Sequence, residues 1–378
     1  MERKDKTIKY MRIIISAGGT GGHIFPALSV ADALKKAQPD TEILFVGALG
    51  RMEMERVPAH GYNIIGLPIA GFQRQLNLKN LWLNFQLPIK ILSSLLKVRG
   101  IIKNFKPDVV VGFGGYASGP TLRAAAAANI PTVLQEQNSY AGITNKILAR
   151  NAKKICVAYP DMEKYFPAEK IIFTGNPVRA EISVNKKLKN VEAYKYFNID
   201  ASKKTIAILG GSLGARTLNN ILSENFEFWK SQDDVQIIWQ CGKFHFENLK
   251  NSKTASLPNV KLMPFVQQMN FLYDCADAII TRSGALTVSE LCIVGIPTIF
   301  VPSPNVAEDH QTKNAMALVD KQAALFLTDA TAQIEAPKLV IDLLKNENLC
   351  AQLKKNMQSL AKPNAATEIA DIIRKIAQ

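Results

Sequence analysis

Two stretches of this chain hold residues able to do chemistry, and both are built around glycine. The first is Gly18-Gly-Thr-Gly-Gly22-His23, placed where an apolar run, Arg12-Ile-Ile-Ile-Ser16, meets a helical pattern, Pro26–Ala37. Glycines at such a junction let backbone amides come close to a ligand, and a helix N-terminus favours negative charge. His23 supplies an imidazole, whose ordinary pKa suits proton transfer near neutrality. The second stretch is Thr281-Arg-Ser-Gly-Ala-Leu-Thr-Val-Ser-Glu-Leu291. A strand ends at Thr281, Ser283-Gly284 turns the chain, and a helix opens near Ala285, with free amides suited to a diphosphate. Glu290 would repel phosphates but can accept hydrogen bonds from ribose hydroxyls. Read one at a time, these patterns also fit a tight turn and a solvent-facing helix glutamate.

The same turns exclude several chemistries. The first does not have G-x-G-x-x-G spacing, and the next strand ends Phe45-Val46-Gly47 with no acid for a ribose hydroxyl. A third glycine turn, Gly210-Gly-Ser-Leu-Gly214, is followed by a strand ending Ile238-Trp239-Gln240, again without the acid. Neither half therefore binds a dinucleotide in the usual way. No Gly-Lys-Ser/Thr follows any of the turns, which excludes a P-loop. The pair Asp233-Asp234 lies in a polar turn rather than at a metal position, and five scattered cysteines show no CxxC spacing. No metal or other cofactor is expected, and the cysteines read as reduced core residues.

These turns must be positioned by strands. Arg12–Ser16, Glu42–Val46, Pro107–Gly112, Pro131–Leu134 and Lys154–Val157 form one apolar series alternating with helical patterns. After a pause near Gly175-Asn176-Pro177 and a Lys-rich stretch, a second series runs Thr205–Leu209, Val235–Trp239, Val260–Met263, Ala278–Thr281 and Pro297–Val301. Strands alternating with helices predict an α/β protein of parallel sheets covered on both faces. Two Rossmann-like domains facing across a cleft are expected, with ligands at the carboxyl ends of the strands. The boundary falls at 176/177, and the last helix, about 362–378, returns to the first domain.

At 378 residues the chain is long enough for two cores, and 47% hydrophobic with 21% charged residues is an ordinary globular balance. No uninterrupted apolar run reaches the roughly 18 residues of a membrane-spanning helix, and the charged N-terminus is unlike a secretory signal. The net charge of +14 is unevenly spread. Between Ala70 and Ile155 stand twelve Lys and Arg residues against only Asp108 and Glu136. Nucleic acid, an anionic bilayer or a phosphorylated substrate would each suit such a stretch, as would a merely solvated face. Nucleic acid is disfavoured by the lack of any recognised motif and by little aromatic interleaving. In the same stretch Leu78, Leu81, Trp82, Phe85, Ile89, Leu92 and Leu96 recur at helical steps, interrupted by Pro88. With Leu76, some of these are expected to dip into a bilayer while basic side chains meet anionic headgroups.

Seven motifs in order resemble those of the MurG family of glycosyltransferases, glycosyltransferase family 28. They are Gly18-Gly-Thr-Gly-Gly-His23-x-x-Pro26, Gly112-Phe-Gly-Gly-Tyr-Ala-Ser-Gly-Pro120, Glu136-Gln-Asn138, Gly175-Asn-Pro-Val-Arg179, Gly210-Gly-Ser-Leu-Gly-Ala215, Ser283-Gly-Ala-Leu-Thr-Val-Ser-Glu290 and Asp309-His-Gln311. The resemblance implies a GT-B fold and inverting transfer of N-acetylglucosamine from UDP-GlcNAc to lipid I, undecaprenyl-diphospho-muramoyl-pentapeptide, giving lipid II. It further implies a peripheral enzyme at the cytoplasmic face of the bacterial plasma membrane, with other cell-wall synthesis proteins as candidate partners. By the same analogy residues 177–361 hold the nucleotide, and the first domain holds the acceptor and the membrane. The backbone at Val266 would read uracil, with Arg179 and Ser212 near the nucleotide and its phosphates. The helix start Ala285, Leu286, Thr287, Val288 and Ser289 would take the diphosphate, and Glu290 the ribose. Asn138 and Gln311 would contact the sugar, with Thr20, Gly21 and Gly22 closing from the other side. One departure stands out: the family has His-Glu-Gln-Asn where this chain has Gln135-Glu136-Gln137-Asn138.

Inverting transfer needs charge stabilisation on the leaving diphosphate and a group to take the acceptor proton. The helix dipole, amides and Arg179 are expected to serve the first need without an essential metal. For the second, His23 is the candidate base, with binding of acceptor phosphate or helix capping as its alternative roles, and Glu136 is the rival base. Tyr116, after Gly114-Gly115, is expected to position acceptor. His310 is expected to be structural or polar lining, and His60 and His245 to be surface residues. A UDP-N-acetylglucosamine 2-epimerase and a diacylglycerol galactosyltransferase are the competing enzyme readings; the first would need no acceptor and the second a different one.

Overall fold

Thirteen parallel strands organise the protein in the computed structural model, which describes residues 10–71, 82, 85–182, 190–211, 213–306 and 309–378. Ser212, Arg74, Leu76, Leu78, Lys79 and Leu81 lie outside the described residues. The chain divides into two compact units, residues up to Arg179 with Asn364–Gln378, and Ala180–Pro363.

In the first unit, β1 (Arg12–Ser16), β2 (Glu42–Ala48), β3 (Asn63–Leu67), β4 (Val109–Gly112), β5 (Thr132–Glu136), β6 (Lys154–Val157) and β7 (Ile171–Phe173) form one sheet in the order β3-β2-β1-β4-β5-β6-β7. The apolar run of β1 explains its central place. Ile13 and Ile15 enter a core that includes Phe45, Val111 and the helix residues Ile369 and Ile373. Ile14, pointing the other way, joins Val110, Leu134 and the helix residues Val98, Ile101 and Ile102. A strand buried on both faces must be apolar throughout, because neighbouring side chains alternate between the faces. The last helix, Ala365–Ala377, packs on Gly21–Ala37 and belongs to this unit.

The second unit repeats the plan. Here β8 (Lys204–Leu209), β9 (Val235–Gln240), β10 (Val260–Met263), β11 (Ala278–Thr281), β12 (Thr298–Phe300) and β13 (Leu325–Phe326) take the order β10-β9-β8-β11-β12-β13. Strand order reverses direction between β1 and β4 in one sheet and between β8 and β11 in the other. Ligands of open α/β sheets bind outside the carboxyl ends of the strands at such a switch. The turns at Gly18-Gly19, Gly114-Gly115, Gly210-Gly211 and Ser283-Gly284 follow β1, β4, β8 and β11 respectively.

One local reading needs correction. The first helix opens at Gly21, not Pro26, so Gly21, Gly22 and His23 form its first turn, with Pro26 inside it. Glycine has low helix propensity, but here His23 and Ile24 both donate their N–H to the Thr20 carbonyl, at 3.1 and 3.2 Å. Pro88 occupies the first turn of Leu87–Phe105, where a missing N–H has no intrahelical partner to lose, and helical residues Trp82 and Phe85 precede it across a turn at Gln86.

Candidate active site

In the first unit the turns after β1 and β4 lie against each other. Gly114 and Gly115 have φ of +95° and +84°, and a Cβ on Gly115 would fall 2.2 Å from the Gly18 carbonyl oxygen. Only glycine permits that approach. It brings His23, Gly114 and Tyr116 together: a Cβ on Gly114 would lie 2.9 Å from His23 Nε2, and the Tyr116 ring packs over Gly71 and reaches Gly19. Tyr116 is exposed.

The His23 ring is oriented from behind. Its Nδ1 lies 3.0 Å from the Gly18 carbonyl oxygen and 3.3 Å from Thr20 Oγ1. A carbonyl can only accept, so Nδ1 carries the proton in this arrangement and Nε2 carries the lone pair. Behind the turn lies Glu53, fully buried, accepting from the Gly19 N–H at 3.0 Å and the Ala48 N–H at 2.9 Å. Arg179 stacks its guanidinium 5.8 Å from the centre of the Phe25 ring, beside the first turn of the same helix.

Glu136 ends β5 and is buried. Its Oε1 accepts from the Asn138 N–H at 3.1 Å and from Asn138 Nδ2; its Oε2 accepts from Asn145 Nδ2 at 2.9 Å and the Gly142 N–H at 3.1 Å. The carboxylate thus fixes the loop that presents Asn138. Gln135, at the family's histidine position, is buried beside it. It donates to Asn176 Oδ1 at 3.0 Å and accepts from Gln137, which also donates to the Phe113 carbonyl. An amide here ties β4, β5 and the segment after β7 together.

In the second unit the helix Ala285–Val294 starts after Gly284, with no acidic residue in its first turn. The N–H of Val288 bonds the Gly284 carbonyl at 2.9 Å, while amides of an α-helix's first turn have no carbonyl partner within the helix. Ser283 fixes this mouth by donating to the Gln311 carbonyl at 2.8 Å, and Gln311 Oε1 accepts from the Ser303 N–H at 2.9 Å. Glu290 is buried rather than facing solvent, and accepts from the Tyr273 hydroxyl at 2.8 Å. The Val266 N–H, expected at the base, donates to Gln240 Oε1 at 2.8 Å. A ligand using that amide must share it with Gln240 or displace it.

The glycine turn after β8 is built like its counterpart. Gly214 has φ of +84°, and a Cβ there would lie 2.2 Å from the Cys241 carbonyl oxygen and 2.6 Å from His245 Cδ2. His245 is therefore packed against this turn, half-buried, not a bare surface residue. Burial pushes the Cys241 thiol up to about 11, despite a backbone hydrogen bond that acts the other way, which keeps it protonated at neutral pH. His60 is exposed and bonds the Arg56 carbonyl at 2.8 Å; His310 opens the helix His310–Val319 after Asp309. Among the described residues no group of His, Cys, Asp or Glu is arranged to hold a metal. Asp233-Asp234 precede β9, at the end opposite the glycine turns.

Sequence reading missed three supporting residues. Glu53 and Tyr273 sit in short stretches with no motif. Arg282 lies inside one, but its partners are remote: it donates to the carbonyls of Val301 at 2.8 Å and Pro302 at 2.9 Å and pairs with Asp329.

Sequence models of the glycosyltransferase family 28 N-terminal and C-terminal domains match residues 13–157 and 205–374. The chain belongs to glycosyltransferase family 28. Relatives in this family include a UDP-N-acetylglucosamine–N-acetylmuramyl-(pentapeptide) pyrophosphoryl-undecaprenol N-acetylglucosamine transferase of Bacteroides thetaiotaomicron, 51% identical over 98% of this chain and 99% of that one. The protein of the same name from Flavobacterium psychrophilum is 51% identical over 97% and 98%. Among solved structures, MurG of Acinetobacter baumannii matches with a TM-score of 0.75 and 33% identity, covering 97% of this chain and 99% of that one. This family 28 chain therefore has the GT-B fold. A UDP-GlcNAc 2-epimerase from Neisseria meningitidis shares the fold with a TM-score of 0.68 at 16% identity, over 97% and 100% of the two chains. At that identity the likeness concerns the fold alone.

Proposed function

We propose that this protein is an inverting glycosyltransferase that moves N-acetylglucosamine from UDP-GlcNAc to the C4 hydroxyl of the N-acetylmuramoyl group in lipid I. The product is lipid II, and the step is the last cytoplasmic one in peptidoglycan precursor synthesis. One observation carries the reading: the acid-free mouth of the helix Ala285–Val294 opens at the switch between β8 and β11, and the buried Glu290 lies farther along the same helix. That is the layout for a nucleoside diphosphate, with phosphates on the amides and a carboxylate set back for the ribose. Names and identity of the family 28 relatives support the donor and acceptor.

The donor side comprises Val266, Ala285 to Glu290 and Gln311, with Arg179, Asn138, Thr20, Gly21 and Gly22 assisting. As the glycosidic bond breaks, the helix amides and Arg179 take the charge developing on UDP. His23 Nε2 accepts the acceptor proton, since its Nδ1 is committed to Gly18; Gly114, Gly115 and Tyr116 position the acceptor. Glu136, with both oxygens engaged, holds the Asn138 loop rather than acting as base. Transfer assays with UDP-GlcNAc and lipid I test the whole. His23→Ala should lower kcat about 10³-fold while UDP still binds. Near-normal turnover with an unchanged pH profile would remove His23 as base. Chelator-treated enzyme should stay active; full loss restored by magnesium would overturn the metal-free reading.

Peripheral binding to an anionic bilayer completes the proposal, placing the enzyme at the cytoplasmic face of the plasma membrane. No helix among the described residues is long and apolar enough to cross a membrane. Instead Trp82, Phe85, Ile89, Leu92 and Leu96 follow helical spacing and are exposed, while Val98, Ile101 and Ile102 turn inward. Exposed Arg99, Lys103 and Lys106 lie on the same chain segment. An outward apolar stripe with neighbouring cations suits a headgroup boundary. Pelleting with phosphatidylglycerol vesicles at low salt should be strong, and should drop for Phe85→Ser/Leu92→Ser; no binding at low salt would refute it.

A further inference from the structure

We infer that Glu53 is a positioning residue for His23, acting through the single peptide group that joins Gly18 to Gly19. The two ends of that peptide are both engaged. Its N–H, on Gly19, donates to Glu53 Oε2 at 3.0 Å, and its carbonyl, on Gly18, accepts from His23 Nδ1 at 3.0 Å. A negative charge on the N–H side polarises the amide and makes its carbonyl a stronger acceptor. That holds the proton on Nδ1 and raises the basicity of Nε2. The inference rests on the reading of His23 as base.

Burial makes the choice of a carboxylate informative. Glu53 is fully buried, no Lys or Arg pairs with it among the described residues, and both its oxygens accept main-chain N–H groups. Burying a charge is costly unless it is well hydrogen-bonded, and a turn can be fastened by neutral groups. The fold also makes room for it. A Cβ on Gly18 would lie 2.2 Å from Glu53 Oε1, and one on Gly47 2.6 Å from Glu53 Cγ. Glycine at both positions admits the side chain between the ends of β1 and β2.

The charge answers a specific difficulty. His23 sits in the first turn of Gly21–Ala37, where the positive end of the helix disfavours an imidazolium. Glu53 opposes that field from behind the turn. Among the described residues, other ionisable groups near the turn include Tyr116, whose ring lies by Gly19, and Arg179 over Phe25. Arg179 adds positive charge, so the glutamate is the group that supports protonation.

Histidine nitrogen NMR on the full chain tests this directly, since there are only four histidines to resolve. Wild-type His23 should show the Nδ1–H tautomer. Glu53→Gln should lower the His23 pKa by about one pH unit and leave His60, His245 and His310 where they were. The acid limb of kcat should move down with it, and kcat at neutral pH should fall several-fold with UDP affinity unchanged. In a His23→Ala background the same substitution should have little further effect on kcat. An Nε2–H tautomer in the wild type overturns the inference even if the variant does not fold, and so does an unmoved His23 titration in a folded variant. Normal turnover of His23→Ala would instead remove the base reading, leaving the Glu53–His23 link to be decided by the NMR result.

Discussion

Both units use the junction of strand, glycine turn and helix, yet the junctions after β1 and β11 place their carboxylates differently. In the first, a buried carboxylate stands directly behind the turn and a histidine stands at the helix mouth. In the second, neither carboxylate near the helix Ala285–Val294 backs its turn in that way: Glu290 lies farther along the helix and accepts from Tyr273, and Asp329 is paired with Arg282. The same backbone device serves two ends. On the proposed reading, the mouth of Ala285–Val294 receives an anion, and the mouth backed by Glu53 supports a base. What differs is not the fold but which side chains reach the strand ends.

The largest effects should come from the backbone contacts that both units share. Gly115→Ala and Gly214→Ala each place a Cβ 2.2 Å from a main-chain carbonyl oxygen at a φ of +84°. Each should cost roughly 3 kcal/mol, read as a lower urea midpoint. Gly50→Ala is the control, because Gly50 has φ of +69° but nothing within 4 Å of the added atom. It should cost only about 1 kcal/mol. Equal losses at Gly50 and Gly115 would mean that close approach of the two turns is not what requires glycine.

The next effect separates the two mouths. Thr287→Asp puts a carboxylate in the first turn of Ala285–Val294. It should leave stability unchanged or slightly higher, since acids favour helix N-termini, while weakening UDP binding roughly 100-fold. The matching change in the first unit, Gly22→Asp, should disturb UDP affinity far less and lower turnover. Titration calorimetry with UDP reads both. Equal losses of affinity would erase the distinction drawn between the units.

How much of this was legible beforehand follows from burial. Central strands such as β1, β4, β8 and β11 are covered on both faces, so their apolar runs stand out, and β1, β6, β10 and β11 begin and end where the sequence placed them. The strands β3, β7 and β13 were missed. All three are at sheet edges and only partly buried, and the apolar runs of β7 and β13 are just three and two residues long, too short to mark a strand. Motif residues such as His23, Tyr116 and Glu290 could be singled out because glycine turns announce strand ends. Glu53 could not, because its partner Gly19 lies 34 residues away. Nor could the bonds of Arg282 to carbonyls at Val301 and Pro302. Such contacts exist only once the sheet has brought separate strand ends together.

The smallest effect again compares the units, through one buried thiol taken from each. Burial pushes Cys156 in the first and Cys292 in the second up to about 12; Glu368 adds to the rise at Cys156, and Lys321 opposes it at Cys292. A thiol raised in the folded state keeps its proton where the unfolded chain has lost it. The folded protein then binds more protons than the unfolded, so stability falls as pH rises. The contribution is complete below the ordinary thiol pKa near 9 and is lost between there and about 12. At pH 10 each thiol should account for about 1 kcal/mol of that loss. Cys156→Ala and Cys292→Ala will both be less stable than the parent at pH 8, because each leaves a small cavity. The informative quantity is the slope: each variant should lose less stability than the parent between pH 8 and pH 10. A variant with the parent's slope would show that its thiol titrates alike in the folded and unfolded chain, and that the corresponding core is open to water.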